Sequence, residues 1–187
     1  NYRFDLISTE LYEFTWNNYC DWFLEFSKPA LTSDDKVAAD SMRHTLLSVL
    51  EKLLRALHPL IPFVTEEIWQ NIAPKLGIYG DSISTQAYPD YNVITKDPAT
   101  AARVEILKGV ITQVRSIRSQ MNVPPSKLVP LIVEGPADDS ALIQICGQEA
   151  SLKFLARLES VTANHDGEIP TSAMAPLFNL KLHIPMA

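Results

Sequence analysis

A group of basic side chains between residues 103 and 127 offers the clearest chemistry in this sequence. This window contains one acidic residue, Glu105, and five basic ones: Arg103, Lys108, Arg115, Arg118 and Lys127. At about 100° per residue, a helix places Lys108 and Arg115 within ~20° of each other and Arg118 one turn further on. Such a row can bind phosphate oxygens, so we predict Lys108, Arg115, Arg118 and Lys127 as phosphate contacts. A solvated helix face with the same cations is an equally ordinary reading.

A second group of polar side chains lies within an aromatic helix. Residues 11–29 read LYEFTWNNYCDWFLEFSKP, and their aromatic residues recur at helical spacing, which predicts a buried face made of Tyr12, Trp16, Tyr19, Phe23 and Phe26. Between them stand Asn17, Asn18 and Asp21, with Trp22 beside them. Amides, a carboxylate and an indole suit the recognition of unstacked bases. They are also common as solvated or capping residues of a helix.

Catalytic and metal-binding patterns are missing from the sequence. The histidines and cysteines show no ligand spacing: His44, His58, His165, His183, Cys20 and Cys146. Glycine accounts for only 6 of 187 residues, and no glycine-rich phosphate loop is present. We therefore predict neither a catalytic site, nor a metal site, nor a cofactor for this chain.

Composition and charge are typical of a globular protein. The apolar fraction of 47% is sufficient for a core, and no apolar run is long enough to span a membrane. The net charge is −6, and residues 1–97 hold 8 basic and 14 acidic side chains against 8 and 8 in residues 98–187. General affinity for nucleic acid is therefore not expected outside the basic window. Two distant cysteines and the lack of a signal peptide predict a reduced, cytoplasmic setting.

The elements that would carry these groups begin with a helical bundle in residues 1–78. The first helix is expected from Arg3 or Phe4 to Lys28, ended by Pro29. Ser33 or Asp34 should cap a second helix that ends before Pro59. A third helix should start near Pro62 and close at Gly77. The three antiparallel helices predict a mainly α fold.

A small α+β subdomain is predicted after a crossing loop at residues 79–98. A fourth helix at 99–121 should complete the bundle, and the subdomain makes up the rest of the region 99–187. Strands are expected at 128–133, 158–163 and 178–184, the last with one wet face, and short helices at 138–147 and 149–158. The predicted fold class is thus an antiparallel helical bundle followed by a small α+β subdomain.

Several segments of this chain resemble the C-terminal, anticodon-binding region of valyl-tRNA synthetases, which are class I aminoacyl-tRNA synthetases. LYEFTWNNYCDWFLEFSKP is similar to the first bundle helix of that family, and LLRALHPLIPFVTEEIWQ (53–70) resembles a joint shared with the isoleucine and leucine enzymes. VRSIRSQMNVPPSK (114–127) and LARLESV (155–161) resemble segments more particular to the valine enzymes. One departure is Gln120, where many relatives carry an acid.

The resemblance implies a tRNA partner, bound at its anticodon stem and loop by a monomeric, cytoplasmic protein. Lys108, Arg115, Arg118 and Lys127 would then bind phosphates or stack on bases. Base edges or faces would be contacted by Asn17, Asn18, Asp21 and Trp22. The longer enzyme would join valine to tRNA with ATP and magnesium. The sequence lacks the signatures of its nucleotide-binding domain, its editing domain and its coiled-coil arm. We therefore expect a fragment, joined in the longer enzyme to further domains, with no aminoacylation activity of its own.

Three other interpretations stay open on the sequence. The joint at 53–70 is equally compatible with an isoleucyl- or leucyl-tRNA synthetase. A helical protein interaction module that binds a partner helix would account for the acidity better, and its binding would be insensitive to salt. A self-contained enzyme would require a catalytic constellation, which the sequence does not contain.

Overall fold

The computed structural model describes residues 3–90, 95–164 and 168–185. The chain forms two compact units, Asn1–Thr95 and Lys96–Ala187. Helices build the first unit, and the second combines helices with a four-stranded sheet, so the predicted fold class is confirmed. The first unit extends past the predicted bundle limit at residue 78 and includes the described part of the predicted crossing loop.

The first unit opens with a continuous helical path whose middle is wound as a π-helix. It consists of α1 (Phe4–Glu13), the π-helical segment Phe14–Phe23 and α2 (Leu24–Leu31). The prediction that Pro29 ends this path was wrong, because Pro29 lies inside α2. The helix ends two residues later, where the backbone N–H and hydroxyl of Thr32 donate to the Lys28 carbonyl at 3.0 and 2.8 Å. A proline this close to the end of a helix removes only one N–H from its ladder.

The aromatic face of this path differs from the predicted one. Tyr12 and Trp16 are 66% and 56% exposed, whereas Tyr19 is buried and donates its hydroxyl to the Leu46 carbonyl at 3.2 Å. Phe23 and Phe26 are half-buried. The prediction assumed the α-helical period, but hydrogen bonds in a π-helix run from i to i+5. The looser winding changes which side chains point inward.

Two further helices complete the helical part of the first unit, α3 (Lys36–Leu57) and α4 (Pro62–Ile72). The α3 cap is Asp35, whose Oδ1 accepts from the backbone N–H of Val37 and Ala38, both at 3.0 Å. The predicted caps, Ser33 and Asp34, were therefore wrong by one or two residues. Pro62 occupies the first turn of α4 as predicted. A 3-10 turn, Ala73–Leu76, then ends at Gly77, whose φ of 72° suits a residue without Cβ.

A buried carboxylate lies at the centre of the first unit. Glu51 is 2% exposed, and its Oε1 accepts a hydrogen bond from the indole Nε1 of Trp69 at 2.9 Å. Its Oε2 accepts from Arg55 Nη2 at 2.9 Å, and Arg55 Nη1 donates to the Ala87 carbonyl at 2.7 Å. Glu51 therefore connects α3, α4 and the segment that follows them.

The segment after α4 is attached to the helix by a second carboxylate. Glu66 Oε2 accepts from the Ser82 hydroxyl at 2.7 Å and from the Ile83 N–H at 3.2 Å. Hydrogen bonds from Gln70 and Ser82 lower the pKa of Glu66. The segment contains a 3-10 turn, Ile83–Thr85, and Ile83 packs into the core beside Trp69. Residues 91–94 of the predicted crossing loop lie outside the described residues.

Replacement of Glu51 tests the importance of this buried network. Glu51→Ala removes the acceptor of the Trp69 indole and the ion-pair partner of Arg55, so we expect the free energy of unfolding of the first unit to fall by about 3 kcal/mol. Urea unfolding followed by tryptophan fluorescence reports this unit, because Trp16, Trp22 and Trp69 all lie in it. Asp40→Ala, at an exposed position of α3, is the control. Equal stability of the two variants would contradict the assignment.

The second unit is built around one helix and a mixed sheet. Its long helix is α5 (Pro98–Gln120), and its sheet has the strand order β2-β1-β4-β3. The remaining elements follow in chain order: β1 (Val129–Glu134), α6 (Ser140–Gly147), α7 (Glu149–Ala156), β2 (Leu158–Asn164), β3 (Ser172–Leu177) and β4 (Leu180–Pro185). β1 and β2 are parallel and are joined through α6 and α7, whereas β4 is antiparallel to both of its neighbours. Helix α5 was predicted to complete the bundle, but the structure places it in the second unit, in contact with β3, β4, α6 and α7.

The last two strands depart from their prediction. The strand predicted at 178–184 begins at Leu180, because Phe178 has a φ of 55° and lies in the turn of a β3–β4 hairpin. Strand β3 was missed, since it contains Pro176, which sheets accept on an edge strand. His183 was predicted on a wet face but is 8% exposed. The sequence Asn164-His165-Asp166-Gly167 also predicts a turn, but residues 165–167 lie outside the described residues.

A polar network explains the burial of His183. Its Nε2 lies 2.8 Å from Glu134 Oε2, its Nδ1 lies 3.0 Å from the Ser172 hydroxyl, and Lys181 Nζ donates to Glu134 Oε1 at 2.9 Å. The network therefore connects β1, β3 and β4. The hydrogen bond from Lys181, followed by that from His183, holds the pKa of Glu134 below its ordinary value.

This pKa shift predicts a pH dependence of stability. Because the folded-state pKa of Glu134 is lowered, its contribution is complete above the ordinary glutamate value of 4.5 and is lost as pH falls through the lower folded-state value. We expect the free energy of unfolding of the second unit to decline across that acidic window. In Glu134→Gln the decline should be shallower, as measured by urea unfolding with circular dichroism at several pH values. Identical pH profiles for the two proteins would contradict the role of Glu134.

Candidate nucleic-acid interface

The π-helical segment presents the predicted polar residues of the first unit on its outer side. Asn17, Asn18 and Asp21 are exposed, and buried Tyr19 anchors the segment from its inner side. Their amides and carboxylate can donate to and accept from base edges. The winding of the segment therefore leaves a row of hydrogen-bonding groups in solvent. We call Asn17, Asn18 and Asp21 the amide row.

Trp22 lies beside the amide row and is half-buried. Its ring stacks on that of Phe26, with centroids 5.7 Å apart and planes inclined by 25°. Because Trp22 is half-buried and stacked on Phe26, only part of the indole is accessible to a base. Tyr19 and Phe23 pack edge to face at 5.8 Å and hold the neighbouring turn.

In the second unit, Arg118 holds a turn of the chain. It is 7% exposed, and its Nη2 donates to the carbonyls of Pro124 and Lys127 at 2.9 and 2.7 Å. Its Nη1 donates to the Arg157 carbonyl at 3.2 Å. Burial, followed by the charge of Arg157, lowers the pKa of Arg118. The structure thus places this predicted phosphate contact in a positioning role.

Arg115 lies beside Arg118 and is exposed. Its Nη2 donates to the Leu155 carbonyl at 3.3 Å, at the end of α7. Arg157 follows α7 with a left-handed backbone (φ 57°, ψ 53°), and its Nε donates to the Pro125 carbonyl at 3.5 Å. The guanidinium groups of Arg115, Arg118 and Arg157 line one cavity of about 420 Å³. We call this cavity the arginine pocket.

The two predicted lysines are placed differently. Lys108 is half-buried and forms an ion pair with Glu105, with 2.7 Å between Nζ and Oε1. Lys127 is exposed, and its backbone carbonyl accepts from Arg118. The structure therefore brings Arg115, Arg118 and the Lys127 backbone together, whereas Lys108 is not among the residues that line the arginine pocket.

Sequence reasoning missed Arg157. It is 39 positions from Arg118 and falls inside the helix predicted at 149–158, where no spacing of charges links it to Arg115 or Arg118. Its association with Arg115 and Arg118 depends on the packing of α7 against α5. The left-handed backbone conformation has no sequence signal here either, since glycine or asparagine usually marks such a position.

A metal-binding cluster and a membrane-spanning helix are both absent from residues 3–90, 95–164 and 168–185. These residues contain no group of three or more His, Cys, Asp or Glu side chains that could hold a metal ion. In the same part of the chain, no helix is both long and apolar enough to cross a bilayer.

The sequence matches a known family of domains. Residues 1–133 match the family model described as the anticodon-binding domain of tRNA ligase. Because this match covers more than half of the chain, the chain belongs to the family of anticodon-binding domains of tRNA ligases.

The similarity extends to particular enzymes of that class. Over its whole length the chain is 50% identical to valine–tRNA ligases of Xanthomonas campestris pv. campestris (strain B100) and Stenotrophomonas maltophilia (strain R551-3). It is 48% identical to the valine–tRNA ligase of Xanthomonas oryzae pv. oryzae (strain PXO99A). The resemblance to valyl-tRNA synthetases is therefore confirmed. The chain spans 20% of the length of the first two relatives and 19% of the third.

The positioning role of Arg118 leads to a stability prediction. Arg118→Met removes the guanidinium that donates to the carbonyls of Pro124, Lys127 and Arg157, so we expect the free energy of unfolding of the second unit to fall by about 2–4 kcal/mol. Urea unfolding followed by circular dichroism measures this loss. Amide hydrogen exchange at Val123, whose N–H donates to the Arg118 carbonyl at 2.9 Å, should accelerate. Arg103→Met, on an exposed part of α5, is the matched control, and an equal loss in both would refute the assignment.

Proposed function

We propose that this chain binds the anticodon stem and loop of a tRNA. Exposure of the amide row within a family of anticodon-binding domains is the observation that carries this proposal. Asn17, Asn18 and Asp21 would bind base edges, and Trp22 would contact a base through its accessible part. Arg115, Lys108 and Lys127 would contact phosphates, and Arg118 would hold the turn beside them.

We further propose that the chain acts as part of a valine–tRNA ligase. Support comes from its 50% identity to such enzymes, over a region that is one fifth of their length. The longer enzyme would attach valine to its tRNA with ATP and magnesium, as a cytoplasmic monomer. We assign neither ATP nor magnesium to residues of this chain. An isoleucine or leucine enzyme is less well supported, because the relatives named above are all valine–tRNA ligases.

Charge is expected to limit the affinity of the chain on its own. Its net charge is −6, and the acidic excess lies in the half that contains the amide row. Phosphate contacts must therefore be local, and binding should weaken strongly with salt because cations condensed on the RNA are released. The remaining domains of a longer enzyme would supply further contacts and raise the affinity.

A protein interaction module is the second candidate function. Large apolar side chains are exposed in the first unit, among them Phe63 at 89%, Tyr12 and Trp16. Tyr12 also lines an apolar cavity of about 400 Å³ with Leu57, Leu60 and Ile61. A partner that packs on these residues would bind with little dependence on salt, in contrast to RNA.

Binding to anticodon stem-loop RNA tests the proposed function. We expect the chain to prefer a valine anticodon over an altered one and to lose affinity as salt increases. Asp21→Asn and Asn18→Ala should each reduce this preference by about fivefold, the value of one hydrogen bond. Fluorescence anisotropy at two salt concentrations measures both effects.

Asp40→Asn is the matched control, since it removes the same charge from an exposed helix position in the first unit. It should raise affinity slightly for both RNAs and leave the preference unchanged. Equal affinity for both anticodons in the unaltered chain would exclude base recognition. Binding to neither RNA, together with salt-insensitive binding to a protein partner, would favour the interaction module.

A further inference from the structure

The arginine pocket carries three positive charges and no opposing acid. No carboxylate lines the cavity, and within the described ranges none of Arg115, Arg118 and Arg157 forms an ion pair. Guanidinium groups gathered without counter-charges repel one another. A bound anion would remove this repulsion, so the electrostatics of the cavity favour a negatively charged ligand.

Arg115 and Arg157 keep most of their donors for such a ligand. Each guanidinium has five N–H groups. Within the described part of the chain, Arg115 makes one side-chain hydrogen bond at 3.3 Å and Arg157 one at 3.5 Å, both to backbone carbonyls. Both side chains are exposed, so their remaining donors are accessible. Planar donor pairs of this kind match the oxygens of a phosphate group.

The backbone around the pocket keeps these two side chains in place. Arg157 adopts a left-handed conformation that is uncommon for a residue with a Cβ atom. Its carbonyl accepts from Arg118, and its Nε donates to the turn that Arg118 also holds. Arg118 therefore fixes both the wall of the pocket and the position of Arg157. Its Nη2 donates to carbonyls of the turn and its Nη1 donates to the Arg157 carbonyl, so it acts as a positioning residue.

We propose that Arg115 and Arg157 together bind one phosphate group of an RNA backbone in the arginine pocket, with Arg118 as the positioning residue. This inference rests on the proposed function, since tRNA is the source of the phosphate. Inorganic phosphate has the same chemistry and is the other source to test. The proposal adds Arg157 to the RNA interface. Because the pocket would contact only a phosphate group, it would not distinguish one RNA sequence from another.

The test uses the full chain and an anticodon stem-loop RNA, with binding measured over a range of salt concentrations. Arg115→Gln keeps a good helix former, and Arg157→Asn keeps a residue that tolerates the left-handed backbone. Each should weaken binding by roughly tenfold, equally for valine and altered anticodons. Because both side chains hold the same phosphate, the double variant should lose less than the product of the single losses. For the double variant, the plot of log binding constant against log salt concentration should become less steep by only ~0.7–0.9, the value for the loss of one phosphate contact.

Two further variants separate charge from geometry and from folding. Lys153→Gln removes the same charge from α7, where Lys153 is exposed and paired with Glu149. This variant should bind RNA within about twofold of the unaltered chain, since surface charges outside the site contribute little. Arg157→Lys keeps the charge but loses the planar fork, so its affinity should be intermediate. Circular dichroism must show that each variant is folded.

The outcomes distinguish the pocket from the proposed function. If the unaltered chain binds RNA and the Arg115 and Arg157 variants bind equally well, the pocket proposal is overturned and the function stands. If the unaltered chain does not bind RNA but inorganic phosphate shifts the NMR signal of Arg157 Nε–H, the RNA source is overturned. If neither ligand binds, both proposals fail.

Discussion

The second unit depends on one buried guanidinium. Arg118 places its N–H groups among the carbonyls of a proline-containing turn and of the residue after α7. Carbonyl groups in such a turn cannot find partners in a regular ladder, and leaving them buried without donors is costly. Arginine is suited to this position, since its donors diverge from a single planar group. The arginine pocket exists because this side chain joins α5, the turn and α7.

The first unit is also held together by a buried charged side chain, here a carboxylate. Glu51 accepts from Trp69 and Arg55, and Arg55 extends the network to Ala87. Both units thus use a buried ionic group that gathers hydrogen bonds from segments distant in sequence. Such groups cost free energy to bury and are tolerated only when their hydrogen bonds are satisfied. Each therefore favours one arrangement of its segments over others.

Sequence periodicity predicted the regular parts of this fold well. The start of α4 and the existence of α5 followed from helical spacing and proline positions. The α-helical period failed at Phe14–Phe23, a π-helical segment in which Trp16 is exposed although it was predicted to be buried, whereas Tyr19 is buried as predicted. Periodicity did not predict β3 either, because the segment contains Pro176. Proline disfavours a strand except at the edge of a sheet, and the sequence does not show which strand lies at an edge.

The candidate interface was only partly predictable, for a related reason. The exposed amide row follows from local sequence, since Asn17, Asn18 and Asp21 are close neighbours on one segment. The arginine pocket does not, because Arg157 reaches it through the packing of α7. Arg118 was predicted as a surface phosphate contact because of its charge. The structure surrounds it with carbonyl groups that only the folded chain brings together.

The position of Pro176 has a consequence for the behaviour of the protein in crowded solution. β3 forms one edge of the sheet, and an edge strand with free N–H and carbonyl groups is a template for strands of other chains. Pro176 removes one donor from this edge, and its ring obstructs a further strand. The residue that concealed β3 from sequence analysis therefore protects the protein against edge-to-edge aggregation.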